Sequence, residues 1–157
     1  RYNSDLANDL GNLFYRVMNM AAKYLDNRLP AKPEESETFR ELSSWTPAIH
    51  RSMEALQFSE ALEKIWQGVG ILNRLVDTKK PWEMAKTNPG ALRPFLHEMI
   101  WCLRLVAAWI DPFMPHTASL MQLQLGTSHT PDGTEPQKVP PLFPRKQDEK
   151  PKDPKLN

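Results

Sequence analysis

The chain has 157 residues, with 20 Lys+Arg against 19 Asp+Glu, 15 Pro, 6 Gly, 1 Cys and 5 Trp. A chain of this size closes one core, and 40% hydrophobic with 25% charged residues is a globular composition rather than a disordered one. A single Cys excludes a disulfide framework and a Cys-based zinc cluster, the formal charge of +1 argues against binding nucleic acid through a broad basic face, and no apolar run reaches the roughly 18 residues of a membrane span.

Arg1 to Asp9 contain no signal-peptide stretch, so a cytoplasmic setting is the expectation, and the missing initial Met suggests a piece of a longer protein. Proline divides the chain. Seven of the 15 prolines fall after Gly126, in a charged stretch poor in apolar residues. The expected organisation is a helical domain over 1–126 and an irregular Pro-rich tail or linker over 127–157.

The first helix is predicted from about Ser4 to Arg28, with Leu6, Leu10, Leu13, Phe14, Val17, Ala21, Tyr24 and Leu25 on one side. Asn8, Asn12, Arg16, Asn19 and Lys23 form its polar stripe. Asn is a poor helix former, so several of them along one exposed stripe stand out. A second helix is predicted over Thr38–Leu56, with Phe39, Leu42, Trp45, Ile49, Met53 and Leu56 inward and Pro47 kinking or splitting it. Ser59 is the expected cap of a third, whose apolar side is Leu62, Ile65, Trp66, Val69, Leu72 and Val76. Gly68 and Gly70 weaken it, which close helix packing would explain. Asp77 to Pro81 break the pattern directly before Trp82. A fourth helix is expected over about Ala91–Ile110, with Pro94 in its first turn, and a fifth over about His116–Leu125, stopped by Gly126. The fold class is all-α, an antiparallel bundle of about five helices.

Catalytic signatures are scarce. His50, His97, His116 and His129 have no partner at metal-ligand spacing, Cys102 sits in an apolar helix, and neither Gly68 nor Gly70 opens a phosphate-binding loop. No catalytic residue, metal or cofactor is therefore expected in this chain. The tail segment Pro141-Leu142-Phe143-Pro144-Arg145-Lys146 fits a proline-rich ligand, which supports a helical protein-protein interaction domain as an alternative. Asn12 and Arg16, four residues apart on one helical face, offer an amide and a guanidinium suited to base edges. Trp82, behind the rigid Pro81, has two readings: a platform for an unpaired base, or a staple of its helix to the core.

At these residues the chain resembles the anticodon-binding helical domain of methionyl-tRNA synthetase. The similarity begins with Arg1-Tyr2-Asn3-Ser4-Asp5-Leu6-Ala7-Asn8-Asp9-Leu10-Gly11-Asn12-Leu13. It continues through Asn73, Lys80-Pro81-Trp82-Glu83-Met84-Ala85-Lys86 and Pro112-Phe113-Met114-Pro115-His116-Thr117-Ala118 to Leu125-Gly126. Pro141-Leu142-Phe143-Pro144-Arg145 is also similar to a segment that follows this domain in many bacterial members. The resemblance implies an RNA site of Asn12, Arg16, Pro81 and Trp82, with Trp82 stacking on the first anticodon base and Asn12 and Arg16 bonding the splayed bases or their backbone. Lys80 or Lys86 would meet phosphate, an extension beyond the family pattern. Leu75 replaces a frequent aromatic, a change assigned to core packing. The implied partners are the anticodon loop of methionine tRNA and the catalytic domain of the parent, where ATP and methionine bind. Neither DNA nor a membrane is expected. The parent would join methionine to its tRNA using ATP, and this chain alone would be non-catalytic.

Overall fold

The computed structural model describes residues 9–25 and 36–126. Among them are six helices, α1 (Asn12–Tyr24), α2 (Glu37–Glu54), α3 (Phe58–Lys79), α4 (Pro81–Thr87), α5 (Pro89–Ile110) and α6 (Pro115–Gln124), and no strand. The five expected helices are all present, and the seven-residue α4 is an addition. Four residues, Ala55, Leu56, Gln57 and Lys80, make up the breaks on either side of α3, so successive elements fold back on one another. The tail expected over 127–157, including Pro141–Arg145, lies outside the described residues, as does Leu6.

Helix α5 is the core element. Half of its 22 residues are buried, Leu92, Phe95, Leu96, Met99, Cys102, Leu103, Val106 and Ile110 among them. Helices α1, α2, α3, α4 and α6 all pack against it. They and the turn before α1 contribute Leu10, Leu13, Phe14 and Val17, then Leu42 and Ile49, then Ile65, Val69 and Leu72, and finally Met121. Burying an aliphatic or aromatic side chain of this kind stabilises the fold by about 1.5–3 kcal/mol, and this layer is what fixes the bundle. No polar or charged residue is buried among the described residues.

Several boundaries differ from expectation for identifiable reasons. The chain enters α1 through a wider turn at residues 9–11, and the helix ends at Tyr24 because Leu25 is extended at φ −108° and ψ 128°. Ser36 caps α2: its Oγ accepts from the Phe39 amide at 3.0 Å and donates to Glu98 Oε1 at 2.6 Å, a tie to α5. Pro47 does not split α2. Pro47 itself is exposed, and the buried Phe39, Leu42 and Ile49 on either side hold the helix across the missing hydrogen bond. Leu56 is not inward but 72% exposed, since α2 stops at Glu54 and Leu56 takes a φ of 58°. Ser59 is not the cap of α3; Gln57 precedes the helix, which already includes Phe58. Helix α5 starts at Pro89, with the Asn88 side chain accepting from the Ala91 amide, so Pro94 sits beyond the first turn.

Gly68 is buried, and a Cβ there would meet Trp109 at 3.4 Å, Leu42 at 3.6 Å and Trp45 at 3.7 Å, which is the close packing expected of it. Gly70 would meet only the mobile end of Arg74. The Trp109 indole donates to Thr46 Oγ1 at 3.0 Å, which satisfies the polar tip of a buried ring. Gly126, at φ 70°, terminates α6 in the left-handed region as anticipated, and Arg104 donates to the Leu125 carbonyl at 2.7 Å.

Candidate nucleic-acid interface

The site lies where α1 passes the junction of α3 and α4. Lys80 takes φ 46° and ψ 65°, a left-handed conformation that costs a non-Gly residue energy, and its amide closes α3 on the Val76 carbonyl at 2.9 Å. This reversal lets a new helix begin at once. Pro81 occupies its first position, where a missing N–H costs nothing, and is buried, so the loop is anchored on a rigid ring. The next residue, Trp82, is thereby turned outward and is 43% exposed. It is a surface aromatic rather than a core staple.

From the facing helix, the Arg16 guanidinium lies over the Trp82 ring at 5.3 Å from the centroid. Its Nη2 also donates to Asp77 Oδ1 at 2.8 Å. The two side chains are 34% and 64% exposed, so the pair contributes little stability but fixes where the guanidinium points. Asp77 carries no local sequence signal for this role, because its partner is 61 residues away. Asn12, one turn before Arg16, is exposed, and its side chain bonds no described residue. The structure therefore brings Arg16, Pro81 and Trp82 into one patch and leaves Asn12 at its edge along α1.

An apolar cleft of about 240 Å³ opens beside the indole, between Arg16, Asn19 and Met20 of α1, Val76 of α3, Pro81 and Trp82 of α4, and Phe95 of α5. A cavity of about 150 Å³ holds benzene, so this cleft accommodates a single base. Lys80 and Lys86 are both exposed on the same short helix or its entry, and Lys80 Nζ pairs with Glu83 Oε1 at 3.3 Å. Asn73, the isolated motif residue on α3, donates to the Asp9 carbonyl at 3.2 Å and so ties the entry of α1 to α3. Leu75 is half-buried against the core, the packing role expected of it.

Elsewhere among the described residues no group of His, Cys, Asp and Glu assembles into a metal site. Cys102 is buried, and burial, followed by the Glu98 charge, pushes its thiol far above the ordinary range. It is neutral and unreactive. His97 is held below its ordinary value, first by burial and then by Arg93. No helix among the described residues is long and apolar enough to cross a membrane.

Against this geometry, a family profile described as the anticodon binding domain of methionyl tRNA ligase matches residues 29–141. The chain belongs to this family. Asn12 and Arg16 precede the matched span, whereas Pro81 and Trp82 fall within it. The methionine-tRNA ligase of Caldanaerobacter subterraneus subsp. tengcongensis is 39% identical over 132 residues, which cover 80% of this chain and 21% of that protein. The methionine-tRNA ligase of Bacillus subtilis is 35% identical over 165 residues, 92% of this chain and 25% of that one. The chain thus spans about a fifth to a quarter of the length of these curated relatives. Among solved structures, the free-state methionyl-tRNA synthetase of Mycobacterium tuberculosis superposes with a TM-score of 0.77 at 29% identity, covering 94% of this chain and 34% of that one. The all-α architecture is thus that of the anticodon-binding domain of the ligase family.

Proposed function

We propose that this domain recognises the anticodon loop of methionine tRNA for a methionine-tRNA ligase, in which ATP and methionine are handled by the catalytic part of the enzyme, outside these residues, in the cytoplasm. Trp82 stacks on the first anticodon base, Arg16 and Asn12 hydrogen-bond the splayed bases or their backbone, and Pro81 fixes the approach of the indole. Unpaired RNA is commonly read in this way, by aromatic stacking and by hydrogen bonds to exposed base edges. The chain itself catalyses nothing and needs no cofactor.

One observation carries this reading: a half-exposed indole, faced by a guanidinium at 5.3 Å and set on a rigid Pro turn. Stacked bases lie roughly 3.4 Å apart, so a base cannot enter between Arg16 and Trp82 while they remain in contact. It takes the other face of the indole, and Arg16 leaves the ring to donate to the edge of that base. The near-neutral surface suits this mode, since discrimination rests on a few bases and not on broad attraction to phosphate. Exposure of Trp82 also removes the basis for reading it as a core residue in a protein-protein interaction domain.

The test is a titration of the chain with an anticodon stem-loop carrying CAU and with stem-loops altered at each anticodon position. Tighter binding of CAU is expected. Equal affinity for all of them would contradict anticodon readout.

A further inference from the structure

The polar stripe on α1 contains an amide, Asn19, that the reading above leaves unused. Asn19 lies three residues beyond Arg16, hence on the same face and one turn farther along the helix. Its side chain is exposed, it bonds no described residue, and it sits mid-helix, where Asn neither caps a terminus nor favours the helix. The structure places it in the wall of the cleft with Arg16 and Trp82, whereas Asn12 does not line that cleft. Met20, Val76 and Phe95 beside it are apolar, so Asn19 is the one amide side chain among the residues that line the cleft.

We infer that Asn19 is a further specificity-determining residue of this site, and that it, rather than Asn12, hydrogen-bonds the base stacked on Trp82. The inference rests on the anticodon reading above. A planar amide offers a donor and an acceptor side by side, whereas guanidinium only donates. With Arg16 donating to the O2 and N3 acceptors of a cytosine, the Asn19 carbonyl accepts from its N4 amino group. A uracil presents an N3–H to the guanidinium, so Arg16 alone disfavours it, and an O4 to the Asn19 carbonyl, so Asn19 adds discrimination as long as its amide keeps that carbonyl toward the base. Asn12, one turn back, is left to the next base or to the backbone.

The experiment measures affinity of the chain for the CAU stem-loop and for the same stem-loop abasic at the first anticodon position, using Asn19→Leu, Asn12→Leu and Trp82→Ala. Loss of one neutral hydrogen bond predicts about 3- to 10-fold weaker binding of the intact loop by Asn19→Leu. That loss should vanish on the abasic loop, while the loss caused by Asn12→Leu persists there. Asn19 is exposed, so the variant should melt as the parent does. If Trp82→Ala weakens binding but Asn19→Leu does not, or if the Asn19→Leu loss is undiminished on the abasic loop, the Asn19 assignment is overturned and the anticodon reading stands. If Trp82→Ala leaves affinity unchanged, the anticodon reading itself falls, and this inference with it.

Discussion

Truncating Trp82 to alanine separates the two roles an indole can have at this position. With 43% of its surface exposed, Trp82 hides roughly 140 Å² of an aromatic residue's ~250 Å², and part of that is retained by the alanine. At about 25 cal/mol per Å², and allowing about 0.5–1 kcal/mol for the contact with Arg16, the expected stability cost is about 2–3 kcal/mol. A fully buried Trp would cost about 3–5 kcal/mol. For a chain of this length each kcal/mol moves Tm by about 2–4 °C, so the variant should melt roughly 4–12 °C lower and remain helical at 25 °C. Loss of the stacking platform, by contrast, removes about 1–3 kcal/mol of binding, a fall in affinity of about 5- to 150-fold for the CAU stem-loop. Thermal melts followed by circular dichroism and a titration at 25 °C read the two effects separately. A variant that is unfolded at 25 °C, or one that binds the stem-loop as tightly as the parent, would refute the surface-platform account.

Three further outcomes follow from the same geometry. Asp77→Asn removes the 2.8 Å pair with Arg16, but both groups are well exposed, so the denaturant midpoint should correspond to a loss of less than about 1 kcal/mol. A larger loss would show that the pair supports the fold rather than orienting Arg16. Gly70→Ala should raise stability by about 0.5–1 kcal/mol, because a helix-interior glycine is replaced where only the end of Arg74 approaches, whereas Gly68→Ala should gain less against the Trp109 ring; thermal melts of the two variants compare them. His97, whose pKa is lowered in the fold, takes up a proton less readily than in the unfolded chain. Its contribution is therefore complete above its ordinary value near 6.5 and is lost as pH falls below it, so urea midpoints at pH 7.5 and 5 should differ less in His97→Gln than in the parent.

Long amphipathic helices were the most legible part of the chain. The buried sides of α1 and α3 follow the three-and-four spacing of Leu13, Val17 and Ala21 and of Ile65, Val69, Leu72 and Val76. Spacing fails where a helix ends. Leu56 continues the apolar register of α2, yet a backbone reversal after Glu54 sends it into solvent. The short α4 has too few residues for periodicity to register, and the left-handed Lys80 before it has neither Gly nor Asn to announce it. Within the candidate site, Arg16, Pro81 and Trp82 were visible from residue type and motif. Asp77 was not, because an ion pair across 61 residues depends on how α1 and α3 pack, and the cleft that contains Asn19 is likewise a product of four helices meeting.

The central claim is that RNA contacts the face made by α1 and α4, and amide chemical-shift mapping of the chain with the CAU stem-loop tests it most directly. Shifts should centre on Arg16, Asn19, Pro81's neighbours and Trp82, and fade toward the opposite end of α3, a helix of roughly 30 Å where Phe58 packs edge-on against Phe113 at 6.3 Å. Shifts centred on that Phe58 and Phe113 end, with Arg16 and Trp82 unperturbed, would contradict the account.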